Sequence, residues 1–195
     1  MILIKNLDSS VGEINSEQIN EICNIYSKNL SSDILPNFGY DTLKNYFKLM
    51  IKNNANVIIA SKNNLILGFL VLKFNKIDLK KIISIKSICI FIFKSLRNPL
   101  LLIRLIFQIF KKDESPDTCS EIHAFAVKKE FSSQGIGKML INEAQVLTRN
   151  KNYRGIFTKT HNERLFKYYE REKKINLIKK FKILNRTYYQ FYWNI

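Results

Sequence analysis

The residues best suited to chemistry lie close together, in the stretch from Glu121 to Lys138. Glu121 and His123 are two apart in a short apolar run that predicts a β-strand, so their side chains share one face. Gly135 and Gly137 follow, where an apolar pattern typical of a helix begins. A turn of small residues lets the backbone approach a phosphate, and the first N–H groups of the helix point at it. The stretch therefore predicts an anion site for a diphosphate-bearing cofactor.

Hydrophobic periodicity predicts the elements that position these residues. Before the stretch the order is strand, helix, helix, strand, strand, and after it helix, strand, helix, strand, strand. Asn15 or Ser16 can cap the first helix, and Asp41 opens the second. The predicted strands outside the stretch are 2–7, 57–60, 65–74, 156–160, 177–184 and 187–193, and the later helices are 136–152 and 162–172. At 195 residues the chain suits one domain with a single sizeable core.

The glycine motif resembles the acyl-CoA motif of the GNAT acetyltransferases, which is Arg or Gln, two residues, Gly, one residue, then Gly or Ala. The residues at these positions here are Ser132, Ser133, Gln134, Gly135, Ile136 and Gly137. The strand from His123 to Val127 also resembles the corresponding strand of the arylalkylamine N-acetyltransferases. The order of elements is that of the GNAT fold, so the resemblance covers most of the chain. It implies an α/β fold built on a mixed (α+β) sheet, in a single domain over 1–195.

The resemblance also implies the cofactor and its contacts. Acetyl-CoA would be the acyl donor, with no metal, and main-chain donors from Ser133 to Lys138 would bind its phosphates. Phe125 and Val127 would hold the pantetheine arm as an added strand does. Ser132 departs from the usual Arg or Gln, and Lys138 can compensate as a point charge. The full set of implied cofactor-binding residues is Phe125, Ala126, Val127, Ser132, Ser133, Gln134, Gly135, Ile136, Gly137, Lys138 and Asn162.

Acetyl transfer to an amine needs a base, a polarised thioester carbonyl and an acid for the leaving thiolate. In the arylalkylamine enzymes two histidines occupy the positions of Glu121 and His123, so both are candidate bases, directly or through water. The family pattern of Asn followed by Tyr matches Asn162 and Tyr169, and makes Tyr169 the candidate acid, with Tyr168 as the neighbouring alternative. The expected reaction is direct transfer to a primary amine without a covalent enzyme intermediate.

A segment between the third and fourth strands departs from the family order and predicts a helical insertion over 76–117. Within it, residues 79–112 are rich in Ile, Leu and Phe, carry eight Lys or Arg and contain no acidic residue. Pro99 divides it into two predicted helices. Such a segment suits the interface of an anionic membrane. The alternatives are a cover for the acceptor site or a homodimer contact, and these readings can hold together.

Composition restricts the remaining function classes. The formal net charge of +16 would attract nucleic acid, but no groove-reading helix or RNA-binding motif accompanies the lysines, so we do not expect that partner. Cys23, Cys89 and Cys119 are odd in number and have no metal-ligand spacing, which indicates a reducing compartment. The chain shows no signal peptide and no apolar run long enough to span a bilayer. We expect a cytoplasmic location, peripheral to the inner face of the cell membrane if the insertion binds lipid.

Two hypotheses for the function follow. The first is acetyl transfer to an amine, with an amino sugar of a membrane-held glycan precursor as the acceptor that the basic, apolar insertion favours. The second is a non-catalytic CoA-binding or membrane-associated regulatory module of the same fold. Ser132 favours the second hypothesis, as does the absence of the family's Gly-Phe from the end of the Tyr169 helix, around Lys173 to Ile175.

Overall fold

A computed structural model describes residues 1–7, 15–31, 33, 35–74, 85–97, 99–100, 103, 118–172, 175–183 and 186–195. Within these residues there are seven strands and five α-helices. The strands are β1 Leu3–Leu7, β2 Asn56–Lys62, β3 Leu65–Lys73, β4 Cys119–Val127, β5 Gly155–Thr160, β6 Asn176–Ile183 and β7 Arg186–Asn194. The α-helices are α1 Ser16–Asn29, α2 Tyr40–Lys52, α3 Ile85–Arg97, α4 Ile136–Asn150 and α5 Glu163–Arg171, and short 3₁₀ turns cover Leu35–Phe38 and Lys129–Phe131.

The seven strands form one sheet in the order β1-β2-β3-β4-β5-β7-β6. Neighbouring strands are antiparallel, except that β4 and β5 are parallel. The predicted mixed α/β fold and the order of its elements are confirmed. The predicted strand and helix ends differ from the observed ones by at most two residues, as expected where caps rather than apolar residues set the ends.

Helices cover both faces of the sheet because each has one apolar side. α1 and α2 pack on one face, where Ile22, Phe47 and Phe69 are among the residues of one core cluster. α4 and α5 pack on the other face, where Leu140 and Tyr169 belong to a second cluster. The sheet is therefore buried on both sides along its centre, and its central strands β2, β3 and β4 are nearly continuous in buried residues.

The parallel contact between β4 and β5 is short. It runs from the pair Cys119 and Gly155 to the pair Ile122 and Thr158, after which the two strands have no further pairing. On its other side β4 pairs with β3 from Glu121 to Val127, with a register shift that leaves His123 without a partner. This is a β-bulge, which bends a strand and re-aims its side chains. The bulge begins where β4 and β5 part.

The helix α3 lies in the predicted insertion and packs on the turn that links α1 to α2. Phe91 is 2% exposed and stacks on Phe38, with ring centroids 4.3 Å apart. The Lys94 ammonium donates to the Pro36 carbonyl O at 3.4 Å. The opposite side of the helix is apolar and exposed, reaching 79% at Leu96. Its exposed apolar residues are Ile88, Ile92, Phe93 and Leu96.

The predicted second helix of the insertion falls mostly outside the described residues. After Pro99 the structure describes only residues 100 and 103 of that region, where the Ile103 N–H bonds to the Pro99 carbonyl. In the described part of the chain, no helix combines the length and the apolar character needed to span a bilayer.

Candidate functional site between β4 and β5

The parting of β4 and β5 opens a cleft with a cavity volume of about 80 Å³. β4 contributes its residues 122–125 and β5 contributes residues 158–160. The end of α1 and the following loop form a third wall with Asn29 and Asp33, and α5 closes the cleft with Tyr169. The predicted catalytic residues His123 and Tyr169 therefore line one cavity, although 46 positions separate them along the chain.

The second half of β4 has an open edge on the side that β5 leaves. The Lys128 N–H donates to the Leu67 carbonyl O at 2.8 Å, which places Val127 at a non-hydrogen-bonded position of the β3–β4 ladder. Main-chain groups alternate in direction along a strand, so those of Phe125 and Val127 point away from β3 and into the cleft side. Ala126 points the other way, toward β3. The structure therefore brings two of the three predicted strand residues to the open edge, and not Ala126.

The turn between β4 and α4 exposes main-chain donors. Ser133 and Gly135 both have left-handed backbones, with φ of 73° and 76°. Gly135 is the N-cap of α4, and no side chain of the described residues caps the helix. A Cβ at Gly135 would meet no described atom within 4 Å, so open space lies in front of the turn. The Ser132 hydroxyl donates to the Lys129 carbonyl O at 2.7 Å and so serves the turn itself.

The other residues of the motif have different environments. Gly137 sits where a Cβ would lie 3.1 Å from Cζ of Phe125, so this glycine permits close packing of α4 on β4. Ile136 is buried in the core, and only its main chain can reach a ligand. The side chains of Gln134 and Lys138 are exposed at the start of the helix. The motif thus divides into a packing part and an exposed part that can bind an anion.

Glu121 and His123 contact each other, and Glu121 also has a partner that the sequence did not predict. The Glu121 carboxylate is 2.9 Å from the Lys73 ammonium, its cross-strand partner on β3, and 3.4 Å from His123 Nδ1. Burial alone would raise the pKa of Glu121, which is 7% exposed. The hydrogen bond and charge of His123, together with the Lys73 ammonium, outweigh burial and lower the pKa to about 2. Glu121 is therefore ionised at neutral pH and orients the His123 ring.

Tyr169 is 1% exposed and joins a chain of hydrogen bonds. Its hydroxyl bonds to the side chain of Thr158, whose own hydroxyl donates to the Ile122 carbonyl O at 3.1 Å. Burial raises the pKa of Tyr169 well above its ordinary value, and the bond to Thr158 opposes this only in part. The hydroxyl therefore keeps its proton at neutral pH. Tyr168, the alternative, is half-buried against the second core cluster and does not line the cleft.

Asn162 lines the cleft as the N-cap of α5. Its side-chain oxygen accepts from the N–H groups of Arg164 and Leu165, at 2.9 and 3.3 Å. The side-chain oxygen of Asn162 is thus occupied in holding the helix start. The residue positions α5, and through it Tyr169.

Sequence reasoning missed Lys73, Thr158 and Asp33. The hairpin register could have indicated Lys73, because it lies directly opposite Glu121. Nothing in the sequence pointed to Asp33, which lies in a loop far from the motif. Among the described residues, no group of three His, Cys, Asp or Glu side chains is placed to hold a metal ion.

A comparison with protein-family models identifies the chain. The model of the GNAT acetyltransferase family matches residues 19–173, most of the sequence. The chain belongs to the GNAT family. As a member, it is an acetyltransferase of a family that uses acetyl-CoA as acyl donor, and the resemblance seen in its motif is confirmed. A comparison with curated proteins gave no significant match.

Solved structures, acetyltransferases among them, share the fold. A ribosomal-protein-alanine N-acetyltransferase of Brucella melitensis has a TM-score of 0.63 at 12% identity, with 99% of each chain covered. A protein of Pyrococcus horikoshii has a TM-score of 0.62 at 16% identity, covering 100% of this chain and 99% of its own. A candidate streptothricin acetyltransferase of Bacillus anthracis, in complex with acetyl-CoA, has a TM-score of 0.51 at 20% identity, covering 77% of this chain and 68% of its own. At these identities the likeness concerns the fold.

Glu121→Gln should destabilise the fold by about 3 kcal/mol or more at neutral pH, because it leaves the Lys73 ammonium buried without its carboxylate. Chemical denaturation measures the change. Adding Lys73→Met to this variant should restore much of the loss, since replacing a whole buried ion pair with apolar groups is often nearly neutral.

The pH dependence of stability gives an independent check on the same pair. The pKa of Glu121 is lower in the folded chain than its ordinary value of 4.5, so ionised Glu121 stabilises the fold above about pH 4.5. This contribution should disappear as the pH falls toward 2, and Glu121→Gln should flatten the stability curve over that range. A variant that keeps the wild-type curve would contradict the ion pair.

Proposed function

We propose that this GNAT protein transfers an acetyl group from acetyl-CoA to a primary amine, by direct attack in the cleft between β4 and β5. One observation carries the proposal. The open edge of β4 lies beside the uncapped start of α4, where Gly137 packs against Phe125, and the side chains of His123 and Tyr169 line the cleft at the parting of β4 and β5. The first two features suit a phosphopantetheine chain, and the side chains suit proton transfer at its end.

The cofactor would bind along these two features. Its diphosphate would accept hydrogen bonds from the main-chain N–H groups of Ser133 to Lys138. The left-handed backbones of Ser133 and Gly135 would direct these donors outward. The exposed Lys138 would add a positive charge. The pantetheine amides would pair with the main chain of Phe125 and Val127, as an added strand would. The thioester would then reach the β-bulge at His123.

His123 is our candidate for the base, and Glu121 for the residue that positions it. Glu121 is ionised and so accepts a hydrogen bond from Nδ1 of His123, which leaves Nε2 able to take a proton. A carboxylate with a pKa near 2 is itself a weak base, so its low basicity favours His123 over Glu121 as the base.

In the reaction, the lone pair of the neutral amine forms an N–C bond to the acetyl carbonyl carbon, and the C–S bond breaks with its electron pair on the CoA sulfur. His123 takes the proton lost by the nitrogen. Tyr169 donates to the sulfur, as a hydrogen bond or as the proton itself. Its raised pKa keeps the hydroxyl protonated, so the hydroxyl is available as a donor to the thiolate charge that develops on the sulfur.

The exposed side of α3 suggests where the protein binds its acceptor. The exposed apolar residues of α3 occupy one side of the helix, and by helical spacing Lys86 falls at the edge of that side. Residues 79–112 carry eight cations and no acid. This combination suits an anionic lipid surface, and it favours an acceptor held there, such as an amino sugar of a glycan precursor. We propose that the inserted segment 76–117 of this single domain contacts anionic lipid. The other outcome of the test below is that the segment forms a homodimer contact.

Gly135→Val should abolish CoA binding while the protein stays folded. A β-branched residue is strained at a φ of 76°, so the turn must change shape, but no described atom blocks the side chain. Calorimetry with CoA measures the affinity, and circular dichroism checks the fold. Ser132→Ala is the matched control and should bind nearly as well as wild type, because its hydroxyl bonds within the turn. Undiminished affinity in Gly135→Val would exclude this site.

Tyr169→Phe should lower kcat on the order of 10²-fold with little change in cofactor affinity, since the hydroxyl acts mainly in the transition state. Tyr168→Phe, the neighbouring control, should leave kcat nearly unchanged. His123→Ala should lower kcat/KM, because the variant lacks the group that takes the proton from the amine. If acetyl-CoA binds but no amine is acetylated by the wild type, the alternative of a non-catalytic CoA-binding module stands. The Ser132 hydroxyl, turned inward to Lys129, favours that alternative.

Vesicle binding tests the lipid contact. The wild type should sediment with vesicles containing phosphatidylglycerol and not with phosphatidylcholine alone, and added salt should release it, because each cation near an anionic surface contributes about 1 kcal/mol. Leu96→Asp should reduce the binding. Binding that ignores lipid charge would refute the lipid contact, and a dimer that Leu96→Asp dissociates would assign this side of α3 to a second copy.

A further inference from the structure

We propose that Asp33 binds a second, non-reacting cationic group of the acceptor, so that the preferred substrates are diamines or larger molecules with two amines. The inference rests on the proposed acetyl transfer and names its substrate class. Asp33 lines the cleft that also holds His123 and Tyr169, and no other acidic side chain lines that cleft among the described residues. Asp33 is therefore the cleft's one described carboxylate.

Asp33 is held firmly in place. Its N–H donates to the Leu30 carbonyl O at 2.9 Å, and its own carbonyl O accepts from the side chain of Asn37 at 3.0 Å. The Tyr26 hydroxyl donates to Oδ2 of the carboxylate at 2.9 Å. The Tyr26 ring is fixed in turn by Phe47 and Phe69, at centroid distances of 5.7 and 6.4 Å. A carboxylate fixed by a buried donor suits recognition, because little freedom is lost when a ligand binds.

The Asp33 carboxylate lacks an ion-pair partner in the described part of the chain. Among the described residues, no Lys, Arg or His nitrogen forms an ion pair with Asp33 within 4 Å. The charges of His161, His123 and Arg186 act on it from greater distances. Burial raises the pKa of this carboxyl, and those charges with the Tyr26 hydroxyl offset the rise only in part. A partly buried carboxylate in this state is stabilised by a cation that brings its own N–H donors.

The end of α1 supports the same ligand. Asn29 and Leu30, at the C-terminus of that helix, line the cleft beside Asp33. The negative end of the helix dipole therefore adds to the carboxylate charge. The Asn29 amide nitrogen donates back to the Ile25 carbonyl O at 2.9 Å, which leaves its oxygen as a further acceptor for an ammonium group. A carboxylate, an amide oxygen and a helix C-terminus all favour a positive ligand.

The cation at Asp33 is not the nitrogen that is acetylated. The attacking amine must lose a proton before it can form the amide, and a carboxylate beside it would hold that proton in place. A second amine that stays protonated can form an ion pair with the carboxylate throughout the reaction. Physiological salt screens charges beyond about 8 Å, so the distant charges within the net +16 oppose a cationic ligand only weakly. An amino sugar meets this requirement when it carries a second amino group.

Steady-state kinetics with acetyl-CoA and two acceptors, putrescine and n-butylamine, tests the proposal. The wild type should acetylate putrescine with the higher kcat/KM. Asp33→Asn keeps the Tyr26 hydrogen bond but removes the charge, and it should lower kcat/KM for putrescine roughly 10- to 100-fold through KM, with n-butylamine nearly unaffected. Asp41→Asn, the same change at an exposed position on α2, is the control and should leave both values unchanged.

Two results would overturn the proposal. One is an unchanged preference for putrescine in Asp33→Asn, and the other is an equal fall of kcat for both amines, which would make Asp33 part of the proton transfer. If the wild type acetylates neither amine, the proposed reaction fails for these acceptors, and calorimetry with putrescine then decides on Asp33 alone. Binding that Asp33→Asn removes would uphold the cation site, and binding that it leaves intact, or no binding to wild type, would refute it.

Discussion

The short parallel contact between β4 and β5 is the constraint on which the rest of the site depends. Four residue pairs hold the two strands together, and after Ile122 and Thr158 they separate. If β4 and β5 stayed paired, their hydrogen bonds would occupy the main-chain groups of Phe125 and Val127, and the backbone of β5 would fill the cleft. β5 instead continues along β7, where it is paired up to Thr160, while β4 follows β3 through the bulge at His123. The opening is therefore built into the hydrogen bonding of the sheet.

Thr158 links this opening to the chemistry. It is the last β5 residue paired with β4, its hydroxyl bonds to the Ile122 carbonyl, and its side chain meets the hydroxyl of Tyr169. One residue thus closes the sheet contact and fixes the candidate acid. On the other side of β4, the buried pair of Lys73 and Glu121 fixes the candidate base, His123. Buried ion pairs add little net stability, so a positioning role explains this pair better than a stabilising one.

The sequence predicted most of the fold and several residues of the candidate site, for reasons that particular residues make clear. Periodicity found the elements because each helix and strand buries one side, and Gly135 was found because a left-handed turn at a helix start has few solutions. Gly137 and Ala126 were assigned to the cofactor by position in the motif, but their roles depend on the approach of Phe125 and on the direction of a hydrogen bond. Asp33 could not be found, because only tertiary packing brings the end of α1 against β4.

The turn Leu35–Phe38 contacts both α3 and the loop that carries Asp33. α3 rests on it through Phe91 and Phe38, and Asn37 of the same turn bonds to the carbonyl of Asp33. α3 and the loop that carries the carboxylate are therefore linked through one stacked ring pair and one hydrogen bond. Thermodynamic linkage makes such a connection reciprocal: if occupancy of α3 changes the affinity for an amine by some factor, the amine changes the affinity at α3 by that factor. An occupant of α3 and an amine at Asp33 would then each affect the binding of the other through a single four-residue turn.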